Sequence, residues 1–355
     1  MSHINDRVWR EHTLYRKTFG PLLTLALTLG FFVHLSPARP AEFYEGKTIR
    51  LIAGTTPGGG FDTYARTIAR RLPAHIPGNP RIVVQNMPGG GFVIAANYLY
   101  RVAKPDGLTL GIMNSGVVMR QLLDSPGLEF DARGFRWLGA AEGATPVCAI
   151  MAYTGLKTLK DILNAKKPII IGAAGTVTRE MPLVLERFVG VKLKLVEGYQ
   201  GTSRIRAAVQ RREVDGFCQS WQSMSVTAKE LLAGKGENRL IPFIVAGKSD
   251  DPRIKDLPRY VDYIKNKEDL ATYKAWLAPY QFFRSFVVPP NMAQERSDML
   301  SKAFKATLED PELLAMAKKL KLSIQYIPGT EIDQSLTEIF SVTPKVKENL
   351  RSLVQ

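Results

Sequence analysis

Apolar positions along the chain change their period in a regular order. Lys47 to Ala53 reads as a short strand, and the run Gly54-Thr-Thr-Pro-Gly-Gly-Gly60 cuts it off. From about Phe61 to Leu72 the residues Tyr64, Ala65, Ile68 and Leu72 recur at three- and four-residue spacing, which predicts a helix. A turn-rich stretch from Pro73 to Pro80 precedes a second strand, Arg81 to Gln85. Pro88-Gly-Gly-Gly91, a helix through Leu99 and a third strand, Leu108 to Met113, follow. Strand, glycine-bearing loop, helix, strand is the order of a parallel sheet with crossover helices.

A second set begins near Pro146. Strands are expected at Val147–Ala152, Pro168–Gly172, Lys192–Val196, Val214–Cys218 and Leu240–Ala246. Helical patterns separate them at Lys157–Ala165, up to Val189, up to Gln210 and near Lys229. The remainder returns to strand character at Phe282–Val288, then helices at Met292–Leu308 and Pro311–Leu320, a strand at Leu322–Tyr326 and a helix from near Thr330 that Pro344 should break or kink. No flexible linker intervenes. The expectation is two α/β lobes joined by crossing strands: 44–145 plus 280–355, and 146–279.

The first residues follow a different rule. Arg7, Arg10, Arg16 and Lys17 precede an uncharged, mostly apolar run from Gly20 to Leu35, which ends at Ser36-Pro37-Ala38. That is the order of a secretory signal, cleaved after Ala38 or as late as Ala41. The reading is a periplasmic protein, with an uncleaved anchor as the alternative. Residues 1–38 carry four basic and two acidic groups, so of the formal +15 the remainder keeps 15 − 2 = +13. The basic residues are scattered, which fits a solvated surface and anionic small molecules; an exported protein has no call for nucleic acid.

Cysteine and histidine narrow the chemistry. Cys148 and Cys218 each sit in an apolar strand pattern, and sequence leaves open whether they bridge or stay buried thiols. Outside the leader region only His75 remains. Two cysteines and one histidine cannot readily supply a zinc site, and a Ser-His-Asp triad could use only His75. No metal or cofactor is expected.

The loops at strand ends carry the chemistry that is left. Thr55, Thr56, Pro57, Gly58, Gly59, Gly60 and Phe61 lead into a helix, where unpaired N–H groups and the positive helix end make a seat for an anion. Asp62, in the first helical turn, is expected to cap the helix or brace the loop. The run fails as a dinucleotide fingerprint, because the sixth position from Gly58 is Thr63. Gly247-Lys248-Ser249 ends like a phosphate-binding loop, but Pro242 occupies its first glycine position. Asn114 and Ser115, at the end of the third strand, join the same site. The second unit offers Ala174, Gly175, Thr176 and Thr178 after one strand, Tyr199 at Gly198–Gly201, and Gln219 after another. In open α/β sheets, ligands gather at such carboxyl ends. Tyr199 and Trp221 are candidate stacking groups.

Several of these stretches resemble the substrate-binding receptors of tripartite tricarboxylate transporters, the Bug receptors. They are Thr48-Ile-Arg-Leu-Ile52, Thr56-Pro-Gly-Gly-Gly-Phe-Asp62 with Ala65-Arg66, Val84-Gln-Asn-Met-Pro-Gly-Gly-Gly91, Pro105-Asp-Gly-Leu-Thr-Leu-Gly111, Gly198-Tyr-Gln-Gly201 and Glu213-Val-Asp-Gly-Phe217. The resemblance implies a type II, Venus-flytrap periplasmic-binding-protein fold, each lobe a mainly parallel sheet flanked by helices. It implies a monomeric receptor that closes on a mono- or dicarboxylate and delivers it to a permease of one large and one small membrane subunit. The loop around Pro57–Asp62 would give backbone donors and bound water to a ligand carboxylate, and Ala174–Thr178 with the Tyr199 turn would close the other side. The chain departs from the family where Ala173-Ala174 replace a loop usually richer in Ser and Gly, and where Gly198 replaces a common Pro. Two other readings use the same cleft. One is a sensor component signalling to a membrane kinase. The other is an enzyme using Asp62 and Asp215, for which no acid/base partner or cofactor motif is present.

Overall fold

Ile49, Leu51, Ile52 and Ala53 have no exposed surface, which places β1 (Thr48–Ala53) inside a sheet instead of at its edge. The computed structural model describes residues 43–354 apart from Gly175 and Gln200, and the expected leader lies outside the described residues. After β1 the chain forms α1 (Gly60–Arg71), β2 (Arg81–Asn86), α2 (Val93–Arg101), β3 (Thr109–Asn114), α3 (Gly116–Leu122) and β4 (Arg136–Ala140). Next come β5 (Pro146–Met151), α4 (Leu159–Leu163), β6 (Ile169–Gly172), α5 (Thr176–Val189), β7 (Leu193–Val196), α6 (Thr202–Gln210) and β8 (Gly216–Ser220). They are followed by α7 (Trp221–Thr227), α8 (Lys229–Leu232), β9 (Leu240–Val245), α9 (Lys267–Leu277) and β10 (Arg284–Val288). The last elements are α10 (Gln294–Leu308), α11 (Pro311–Leu320), β11 (Ile327–Pro328), α12 (Gly329–Phe340) and α13 (Pro344–Val354).

The strands form two sheets, ordered β11-β4-β10-β3-β1-β2 and β7-β6-β8-β5-β9. β1 is parallel to β2 and β3, and β6 is parallel to β7 and β8. The sheets are mixed where a mainly parallel arrangement is expected. β10 runs antiparallel to β3 and β4, and β5 antiparallel to β8 and β9. These are the strands that enter each lobe from the other, so they run against the crossover units. Antiparallel pairing needs no covering crossover helix between neighbours.

One sequence expectation shifts and another is narrowed. The strand expected at Leu322–Tyr326 is irregular; the ladder forms at Ile327 and Pro328, opposite Ala140 and Gly139, and Gln325 N–H donates to Ala141 O at 2.9 Å just before it. Pro344 occupies the first position of a new helix, where its missing N–H costs nothing, so the helical stretch is broken and not bent.

The second lobe also settles the cysteines. Cys148 on β5 and Cys218 on β8 are directly opposed in the ladder and form a disulfide, closing a sequence separation of 70 residues. A loop of that length constrains the unfolded chain by about 4 kcal/mol in the chain-entropy account.

Three segments cross between the lobes. β4 leads to β5, α9 leads to β10, and α12 leads to α13, which packs on α5 and α9. The last of these puts residues 344–354 against the 146–279 unit, whereas sequence grouped them with 280–355. Lys347 and Arg351 of α13 also pair with Asp124, just beyond α3 in the first lobe, at 2.7 and 2.9 Å. No helix among the described residues is long and apolar enough to cross a membrane.

Candidate functional site

Parallel strands present their carboxyl ends on one side, so β1 and β3 deliver their following loops together, and β6, β7 and β8 do the same in the other lobe. The two sets of loops line one cavity of about 430 Å³. Thr55, Thr56, Pro57, Gly58, Gly59, Gly60, Phe61 and Asn114 come from the first lobe, and Ala174, Thr178 and Gln219 from the second.

The first wall is built from backbone. Gly58 has φ +78°, which a side chain rarely adopts, and this bend turns the chain into α1. Asp62 holds the bend from beneath. It is 3% exposed and accepts from Gly58 N–H at 2.9 Å, from Asn86 Nδ2 at 2.9 Å and from Arg66 Nε at 2.9 and 3.0 Å. Asn86 Nδ2 also donates to Thr55 O at 3.0 Å. Burial pushes the Asp62 carboxyl up, but the donors from Arg66, Gly58 and Asn86 outweigh it and hold it below the usual aspartate value. The bracing role expected for Asp62 is thus what the geometry contains; the residue does not line the cavity.

This arrangement corrects one expectation about the bend. Gly58 N–H is consumed by Asp62 and is not an anion donor, and Pro57 has no N–H. The first helical bond runs from Thr63 N–H to Gly59 O. Among the described residues, the N–H groups of Gly59, Gly60, Phe61 and Asp62 therefore have no acceptor. They are the free end of α1, displaced one residue from where the glycine run alone would put them.

The second wall is built from side chains. Thr178 Oγ1 accepts from Ala174 N–H at 2.7 Å, tying the β6–α5 loop. Gly175 and the Thr176 side chain lie outside the described residues. Gln219 is 3% exposed, and its Nε2 donates to Thr227 Oγ1 at 3.4 Å. Thr227 gives its own proton to Ser223 O at 2.8 Å, which fixes the amide's orientation and leaves Gln219 Oε1 buried without a donor among the described residues.

Three sequence candidates stand elsewhere. Ser115 is buried, does not line the cavity and has an Oγ without a partner among the described residues. Tyr199 packs over Gly172 and the second-lobe core, and the turn it sits in presents Gly201, Thr202, Ser203 and Arg206 in its place. Trp221 is buried and does not line the cavity, with Nε1 donating to Asp251 at 2.7 Å and Arg253 4.6 Å over its ring.

Sequence reasoning also passed over Arg284, at the seam of the two walls. Its guanidinium is 1% exposed, pairs with Glu142 through Nη1 and donates from Nη2 to Ser223 Oγ at 3.0 Å, across the lobes. Tyr64, Phe61 and Phe283 surround it at 4.2, 5.2 and 5.5 Å. A Cβ at Gly60 would stand 3.3 Å from Nη2, a tight approach that would press on the guanidinium. The available signal was a single charge inside the apolar run Phe282–Val288. Phe283, Ser220, Ser223 and Thr227 complete the lining. No group of three or more His, Cys, Asp or Glu able to hold a metal occurs among the described residues.

No family model and no curated protein matches the sequence. Solved structures do match the fold. The periplasmic binding protein BugD aligns with TM-score 0.65 at 18% identity, covering 88% of this chain and 99% of its own. MatC from Rhodopseudomonas palustris with bound malate aligns at 0.64 and 18%, covering 87% and 99%. An R. palustris protein with adipate aligns at 0.65 and 17%, covering 86% and 97%. Over nearly the whole length of these proteins, the chain has the two-lobed α/β fold of periplasmic binding proteins.

Proposed function

We propose that the chain is an extracytoplasmic solute receptor of the Bug type, which binds a small organic carboxylate between its lobes and hands it to a membrane permease with one large and one small subunit. The observation that carries this reading is the row of N–H groups at the start of α1, from Gly59 to Asp62, that have no acceptor among the described residues, with Gly59, Gly60 and Phe61 lining an interlobe cavity. A carboxylate accepting such bonds gains about 1.5–3 kcal/mol for each. BugD shares the architecture, and the structures holding malate and adipate show the same fold with carboxylates bound. The lining also favours binding over turnover: among the described residues it contains no carboxylate, imidazole or thiol to act as acid, base or nucleophile. Export to the periplasm and action as a monomer belong to the same reading.

A carboxylate library screened by thermal shift, followed by calorimetry on the hits, tests it. One equivalent of ligand should bind and be recovered unchanged. Product formation, or indifference to every carboxylate, would contradict the reading. Co-purification with the two permease subunits, against a sensor kinase, decides the output.

A further inference from the structure

Among the described residues the cavity wall carries a single charged side chain, Arg206. Ile205, Ala208 and Val209 bury the opposite face of α6 in the lobe. Arg206 Nη1 reaches only the Thr202 hydroxyl, at 3.4 Å, and the half-buried guanidinium has no carboxylate partner among the described residues. Arginines elsewhere in the chain are commonly paired, as Arg71 with Asp310, Arg179 with Glu197 and Arg253 with Asp251. Burial alone lowers the Arg206 pKa, with no neighbouring carboxylate acting against it. A cation that has shed water without gaining a counter-ion is compensated when an anion arrives.

The rest of that wall restricts where the anion can sit. Gln219 brings no charge to this wall, and its Oε1 is a buried acceptor. Thr202 and Ser203, beside Arg206, add hydroxyl donors. The α1 amides lie on the other lobe.

We propose that Arg206 seats a second anionic group of the ligand, so that the cleft selects compounds charged at both ends, one end on the α1 amides and the other on Arg206. This deepens the receptor reading and rests on it. The ligand then joins the lobes through its own two charges, and a monoanion of equal length leaves Arg206 unpaired.

The test is calorimetry on the full mature chain with succinate, glutarate and adipate, each against the monocarboxylate of the same carbon number. The native protein should bind at least one diacid about ten- to a hundredfold more tightly than its monoacid, the range of one charge-assisted pair. In Arg206→Gln that ratio should fall to about one, and Arg206→Lys should restore part of it. A ratio unchanged in Arg206→Gln, or monoacids binding the native protein as tightly as diacids, overturns the assignment and leaves the receptor reading standing. If no carboxylate binds the native protein, both fall. Thermal melts of the variants establish that they are folded; Arg206→Lys serves if Arg206→Gln is not, and a full ratio in it at lowered overall affinity would then count against a guanidinium-specific seat.

Discussion

The two walls of the cleft are made of different material. The first is a backbone turn with free N–H groups, braced by Asp62, Asn86 and Arg66. The second presents a row of side chains, with Thr178, Arg206, Gln219 and Ser223 among them, on helices and loops of the other lobe. Backbone donors recognise what all carboxylates share. Side chains can be exchanged without disturbing the sheet, so they decide which carboxylate is accepted. The lobes differ in covalent support as well, because the disulfide lies only in the second sheet.

That asymmetry can be broken most strongly at the disulfide. Replacing Cys148 and Cys218 together by Ser should cost about 2–5 kcal/mol. Hydrogen exchange should rise in β5 and β8 and stay near its original level in β1 and β3; equal loosening of both sheets would mean the lobes do not differ in this way.

Asp62→Ala attacks the other wall. It leaves Gly58 N–H without its acceptor and Arg66 without its partner, and should weaken carboxylate binding about a hundredfold while lowering stability by about 2–4 kcal/mol. All carboxylates should suffer alike, in contrast to changes at Arg206. Selective loss of one ligand would refute the division of labour.

Gly60→Val is a smaller change to the same wall. Its Cβ would meet Arg284 Nη2 at 3.3 Å and Ser223 Oγ at 3.6 Å, so the lobes should close less fully and affinity should drop about tenfold. Small-angle scattering with and without ligand would report the incomplete closure.

Two small effects sharpen the contrast. Tyr199→Phe should change affinity less than about threefold, since Tyr199 packs behind the wall and does not line it. For pH, Asp62 is ionised in the folded protein with a depressed pKa. Its contribution is fully present above the unfolded aspartate value of about 3.9 and is lost as pH falls through the lower folded value. Binding should therefore stay flat from about pH 5.5 to 8, and a steep change there would point to a titrating group at the cleft that Asp62 does not explain.

The first wall was largely legible in the sequence, because glycines at a strand-to-helix junction leave a local signature. Even there the chain order did not reveal that Asp62 takes the Gly58 amide, or that Asn86 arrives from the next strand as a further donor. The second wall was legible only in part. Arg206 reads as one more polar position on an amphipathic helix, and its role comes from what the facing lobe leaves open. Tyr199 was a candidate stacking group from its place at a strand end, but Gly172 gives its ring a place to pack. Arg284 was passed over as one charge within an apolar run, and the tertiary meeting with Glu142 and Ser223 gives it a meaning.

The helix from Pro344 to Val354 rests on α5 and α9 while Lys347 and Arg351 reach Asp124. Two connections alone would let the halves swivel as well as gape. A strap fastened on both sides removes most of the swivel, and the permitted motion narrows toward a jaw-like path. Solutes would then enter and leave along one direction, with the rims meeting in the same register at each closing.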